Sequence, residues 1–116
     1  MTPKMNPPTL EEVSLELIIE GGNARGFVHE ALKAAREGLF DEADKKMKQA
    51  EEAVHNGHRA QTSLLQSEGE GPQARADLLF VHAHGHLMTA MSEMNMAQEM
   101  IHLYKKLKRD FLHFGG

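Results

Sequence analysis

Apolar residues recur at helical spacing over three long stretches of the chain, and no run alternates apolar and polar residues in the manner of a strand. The first stretch predicts a helix that begins at Thr9, an N-cap with Glu12 three residues on, and its apolar positions include Leu10, Val13, Leu17, Ala24, Phe27, Ala31, Leu32 and Ala35. It should stop around Gly38. Gly21, Gly22 and Gly26 lie inside it, each at a cost of about 1 kcal/mol relative to alanine, so close packing or a kink is expected there. Asp41 is the candidate N-cap of a second helix, with Asp44 at its third position, running to about Gln66 through Ala43, Met47, Ala50, Val54, Leu64 and Leu65. The run Ser67-Glu68-Gly69-Glu70-Gly71-Pro72 breaks the pattern, and a third helix should extend from about Gln73 to Arg109. The expected fold is all-α, an antiparallel three-helix bundle forming one domain over residues 9–116, with residues 1–8 as a proline-rich flexible lead-in.

The third stretch bears on assembly. From Leu78 to Ser92 it has no Asp, Glu, Lys or Arg, and Leu78, Leu79, Phe80, Val81, Leu87, Met88 and Met91 point all round the axis. A helix in a three-helix monomer buries one stripe, so one that is apolar all round needs further cover, and self-association supplies it. A membrane span would need roughly 20 apolar residues and would not carry three histidines.

Composition narrows the chemistry. The 116 residues suit one domain and one site. Acidic residues outnumber basic ones, 17 to 13, and the formal charge of −4 argues against nucleic acid as a partner. With no cysteine there is no disulfide, thiolate zinc site or cysteine nucleophile, and with no apolar signal-peptide core at the N-terminus the chain reads as cytoplasmic. Polar chemistry falls to His, Asp, Glu and Lys.

Three of the eight histidines stand in Val81-His82-Ala83-His84-Gly85-His86. On a helix His82 and His86 share a face one turn apart, with Leu78, Leu79, Thr89 and Glu93 on the same side, while His84 points the opposite way. The plainest reading is packed core histidines. A zinc site needs a third ligand, from His58, Glu68 or another chain, and there is no His-Glu-x-x-His motif. Gly21 to Gly26 imitates a phosphate loop but follows helix and lacks its lysine. Nucleophilic use of one imidazole is the third reading: its lone pair is available at neutral pH, it forms a labile phosphoramidate, and a second imidazole, a Gln or a Thr beside it can donate to the phosphoryl oxygens.

Several blocks fall together in order: Gly22-Asn23-Ala24-Arg25 with Glu30-Ala31-Leu32; Ala35 through Gly38 with Phe40; His58 with Gln61-Thr62 and Leu65; and His82-Ala83 with His86-Leu87-Met88-Thr89. On these residues the chain resembles the lactose/N,N′-diacetylchitobiose/cellobiose IIA family of the bacterial phosphotransferase system, from about Glu12 to Lys108. The resemblance implies a homotrimer of three-helix subunits. It implies that His82 accepts a phosphoryl group from the phosphohistidine carrier HPr and passes it to a cysteine of the cognate IIB protein, with His86 in support and Gln61 a further candidate for support. It requires no cofactor for transfer. The membrane IIC transporter is reached only indirectly, and the sugar is phosphorylated downstream, so these residues do not specify it.

Two departures fall inside the last block, where the family has Gln-Asp and this chain has His84-Gly85. The family's Asp faces the trimer axis, where three carboxylates can share a divalent metal. Gly85 offers no ligand atom, so no metal is expected there, and His84 is the alternative candidate ligand. Two rivals to phosphoryl transfer therefore stand: a diverged, non-catalytic trimeric interaction protein or a metal-binding bundle using His82, His84 and His86, and a bundle whose histidines are structural.

Overall fold

The computed structural model describes residues 8–68 and 78–115. Among the described residues there are three helices and no strand: α1 (Leu10–Arg36), α2 (Phe40–Glu68) and α3 (Leu78–Gly115). The lead-in over residues 1–7, most of the break after Glu68 and the expected start of the third helix near Gln73 lie outside the described residues.

α1 begins as its sequence predicts. The Thr9 hydroxyl accepts the Glu12 N–H at 3.1 Å and the Glu12 carboxylate accepts the Thr9 N–H at 3.0 Å, so two of the helix's orphan donors are satisfied reciprocally. At the other end Gly38 N–H donates to Ala35 O (3.0 Å) and Leu39 N–H to Ala34 O (2.9 Å). This closure requires the left-handed φ of +80° found at Gly38. Asp41 is not the N-cap of the next helix. The chain re-enters helix at once, with Leu39 O accepting Ala43 N–H at 3.0 Å, so Asp41 and Glu42 lie in the first turn of α2, where their charge meets the positive end of the helix dipole.

Gly38→Ala should cost about 1–2 kcal/mol, because alanine is strained at this φ and its Cβ would approach Lys108 Nζ at 3.2 Å. Gly26→Ala should do the reverse in the isolated subunit. A Cβ there meets nothing within 4 Å, so about 0.5–1 kcal/mol of helix propensity is gained. Urea unfolding of the two variants should move the midpoint in opposite directions, and a shared direction would contradict this account of the turn.

Two buried clusters fix the register. Val13, Leu17 and Ala24 of α1 pack with Ala53, Val54 and Leu64 of α2 and with Phe80, Ala83, Leu87 and Ala90 of α3. Val28, Ala31, Ala34 and Ala35 pack with Ala43, Met47, Ala50, Ala97 and Ile101. The start of α1 therefore lies beside the end of α2 and the start of α3, an up-down-up order in which α1 and α3 run parallel. α1 packs along both other helices, whereas α2 and α3 touch sparingly. Alanine dominates these contacts and lets the backbones approach closely. Glycine does so at two points: a Cβ on Gly57 would stand 2.9 Å from a Leu87 methyl, and one on Gly21 would stand 3.2 Å from the carbonyl carbon and oxygen of His86. The first helix thus has the close packing its glycines predict at Gly21, while Gly22 and Gly26 face open space.

On α3 the buried positions recur from Phe80 to Ile101, and beyond Ile101 the large apolar residues with described side chains, Leu103, Leu107 and Phe111, are exposed. No described helix is long and apolar enough to cross a membrane. Leu87 is fully buried and Phe80 nearly so, but Val81, Met88 and Met96 are 52%, 46% and 63% exposed, so the subunit leaves part of this apolar helix uncovered.

Candidate functional site

The helix α3 carries His82 and His86 one turn apart, and their Nε2 atoms approach to 3.1 Å with the rings edge-to-face at 83°. At this separation one Nε2 carries the proton and the other the lone pair. The shared helical face was legible from the spacing. The apolar setting was not: His82 is exposed and His86 only half-buried, and both line an open depression of about 320 Å³ with Arg25, Val81, Gly85 and Thr89.

His84 is turned the other way, as its spacing predicts, and its ring stacks on Phe80 with centroids 6.4 Å apart. Gln61 goes with it. The Gln61 Nε2 lies 2.8 Å from His84 Nδ1, so within the subunit Gln61 stands beside His84 and away from His82. The reason is topological: α2 reaches α3 on the flank that carries His84, about 160° round the helix from His82. Gly85 contributes no side chain, and a Cβ added there would meet nothing within 4 Å.

Arg25 is the member of the site that reading the histidines alone misses. Its Nε and Nη2 donate to the two carboxylate oxygens of Glu93, both at 2.9 Å. Hydrogen bonding to Glu93 raises the guanidinium's pKa, and the same bond holds the Glu93 carboxyl below its ordinary range. A lowered carboxyl pKa stabilises the folded chain above the ordinary carboxylate range, and that contribution is lost as pH falls through the lowered value. The α1 to α3 tie is therefore intact at neutral pH and fails in acid. Two signals could have found Arg25: it lies one turn after Gly21, where α1 meets His86, and it closes the Gly22-Asn23-Ala24-Arg25 block.

Among the described residues no group of three or more His, Cys, Asp or Glu could hold a metal ion. Gly85 has no ligand atom, and His84 has its Nδ1 against Gln61 and its ring stacked on Phe80.

Residues 12–105 match the family described as "PTS system, Lactose/Cellobiose specific IIA subunit". The chain belongs to this IIA family. It is 42% identical over 98 residues to the lichenan-specific phosphotransferase enzyme IIA component of Bacillus subtilis, covering 84% of this chain and 89% of that one. Among solved structures it is similar to the PTS cellobiose-specific enzyme IIA of Bacillus anthracis, at 42% identity and a TM-score of 0.79 over 91% of this chain and 95% of that one. It is also similar to a chain of the IIA(chitobiose)–HPr complex of Escherichia coli, at 40% identity and a TM-score of 0.75 over 87% of this chain and 98% of that one. IIA membership makes the chain a component of the sugar phosphotransferase system, and the His82–His86 depression is the part of its surface to examine for that chemistry.

Proposed function

We propose that this IIA chain is a phosphocarrier that takes a phosphoryl group from phospho-HPr on His82 and yields it to a cysteine of a IIB partner. The observation that carries the reading is the pair of imidazoles with Nε2 atoms 3.1 Å apart in a depression open to a protein partner. With its proton on Nδ1, His82 offers the Nε2 lone pair. The Nε2–P bond forms as the donor's N–P bond breaks, and that bond's electron pair stays on the donor ring nitrogen. His86, carrying its proton on Nε2, moves its hydrogen bond from His82 to a phosphoryl oxygen, where the charge develops. Transfer to IIB reverses the first step, with a thiolate as nucleophile. HPr as partner is supported by the likeness to the IIA(chitobiose)–HPr complex.

The single domain over residues 9–116 works as a homotrimer in this reading, in the cytoplasm and without a cofactor. The exposed Val81, Met88 and Met96 are the support for assembly, since burying apolar area of that kind is the driving force for association. The axis would be closed by apolar contact, with Gly85 at its metal position.

Incubation with phosphoenolpyruvate, enzyme I and HPr should add one acid-labile phosphoryl group by mass spectrometry, and no gain would reject the carrier reading. Light scattering should give three subunits with and without EDTA. A monomer in both conditions would sink the assembly, and dissociation only on chelation would reinstate a metal.

A further inference from the structure

We propose that Arg25 is the phosphoryl-binding residue of this site and that Glu93 is its positioning residue; the inference rests on His82 being the acceptor.

The argument starts from charge. A phosphoryl group brings a charge of about −1.5 to −2 to the depression on a chain whose own formal charge is −4. Of the six residues that line the depression, Arg25 alone carries a permanent positive charge. Val81 and Gly85 offer no donor, Thr89 offers a neutral hydroxyl, and His86 offers a single N–H. A dianion held here without Arg25 would face Glu93 nearby with nothing to offset the repulsion.

The hydrogen-bond inventory then shows what remains available. A guanidinium has five N–H donors, and the bond pair to Glu93 uses one on Nε and one on Nη2. The second donor of Nη2 and one donor of Nη1 form the end-on edge of the planar fork, and the other Nη1 donor points back toward Cδ. That edge can donate to two phosphoryl oxygens side by side while Glu93 keeps its own two bonds, so binding needs no exchange of partners. The Arg25 side chain is 42% exposed, which leaves this edge open to a group delivered by another protein.

Rigidity comes from the backbone. One turn before Arg25, Gly21 brings α1 against the carbonyl of His86, so the helix that carries the guanidinium is seated directly on the helix that carries both imidazoles. Glu93, from two turns further along α3, then fixes the direction of the fork. Such prior positioning is what makes a donor effective on a transferring phosphoryl group.

The test compares Arg25→Gln, Arg25→Lys and Glu93→Gln with the wild-type chain in single-turnover transfer from phospho-HPr, together with the ³¹P resonance of the phosphorylated protein and urea stability. Arg25→Gln should lower the transfer rate about 10²-fold or more, as removal of a charge-stabilising donor does. It should also shift the ³¹P resonance. Arg25→Lys should recover part of the rate, and Glu93→Gln should lose less than about 10-fold because the cation stays. Both Gln variants break the same tie between α1 and α3, so equal losses of rate in the two would mean the pair is only structural and would overturn the proposal. Transfer by Arg25→Gln within twofold of wild type would also overturn it. A wild-type chain that takes no phosphoryl group would overturn the His82 reading and this inference together, whereas the two preceding outcomes overturn this inference alone.

Discussion

His82→Ala will take up no phosphoryl group from phospho-HPr, and its circular dichroism spectrum and urea midpoint will match the wild type. The two halves of that result have separate causes. Removing the ring removes the Nε2 that acts as nucleophile in the proposed transfer and leaves His86 without its partner. Removing it costs the fold little, because His82 is exposed and replacement by alanine within a helix is favourable by propensity. His86→Ala leaves the acceptor but deletes its donor, and should slow transfer by about 10² to 10³. Phosphorylation of His82→Ala at the wild-type rate would move the acceptor elsewhere, with His86 the first residue to examine. Indifference to His86→Ala would leave His82 as acceptor and remove the supporting role.

The largest effect on stability is expected at Leu87. It is fully buried, with its methyl groups wedged against the bare α-carbon of Gly57 on α2 and close to Leu17 of α1, so all three helices meet around it. Leu87→Ala should cost about 2–5 kcal/mol, the range for a buried leucine whose cavity does not fully collapse. The site contains its own compensation. Gly57→Ala alone crowds the leucine, since the added Cβ would stand 2.9 Å from Cδ1, but in the Leu87→Ala background the same methyl occupies part of the cavity. The double variant should therefore be more stable than the sum of the two single changes predicts, which a double-mutant cycle in urea measures directly. Additive effects, or a Leu87→Ala cost below about 1 kcal/mol, would mean that α2 and α3 do not meet around this side chain as described.

Much of this architecture can be read from the residues. Thr9 with Glu12, and Gly38 at the end of the first helix, mark their boundaries because capping chemistry is local and depends on side chains a few positions apart. The opposition of His84 to His82 and His86 follows from helical periodicity alone. What could not be read depends on neighbours far away in sequence. The apolar residues around His82 suggested a dry setting, yet the depression is open, because periodicity says which residues share a face and not whether another helix covers it. Gln61 was a candidate beside His82 and lies instead against His84, since the flank on which α2 approaches α3 is decided by the packing of both on α1. The Arg25 to Glu93 pair spans 68 positions, and no local pattern announces it. Asp41 was displaced from its expected cap by a turn that uses two residues fewer than the sequence suggests, the helix starting at Phe40.

The buried residues of α3 end at Ile101, and this divides a single continuous helix into two regimes of amide hydrogen exchange. The turns that present His82 and His86 lie among Ala83, Leu87 and Ala90, so their amides open only when the core itself opens and should exchange at rates set by global unfolding. Beyond Ile101 tertiary cover thins to the half-buried Tyr104, the Lys105–Asp44 pair and Lys108 over the Phe40 ring, and past Lys108 the amides of the isolated subunit should exchange by local fraying many times faster. The proposed chemistry thus falls on the half of the helix expected to exchange slowly, where the core holds the backbone beneath the two imidazoles.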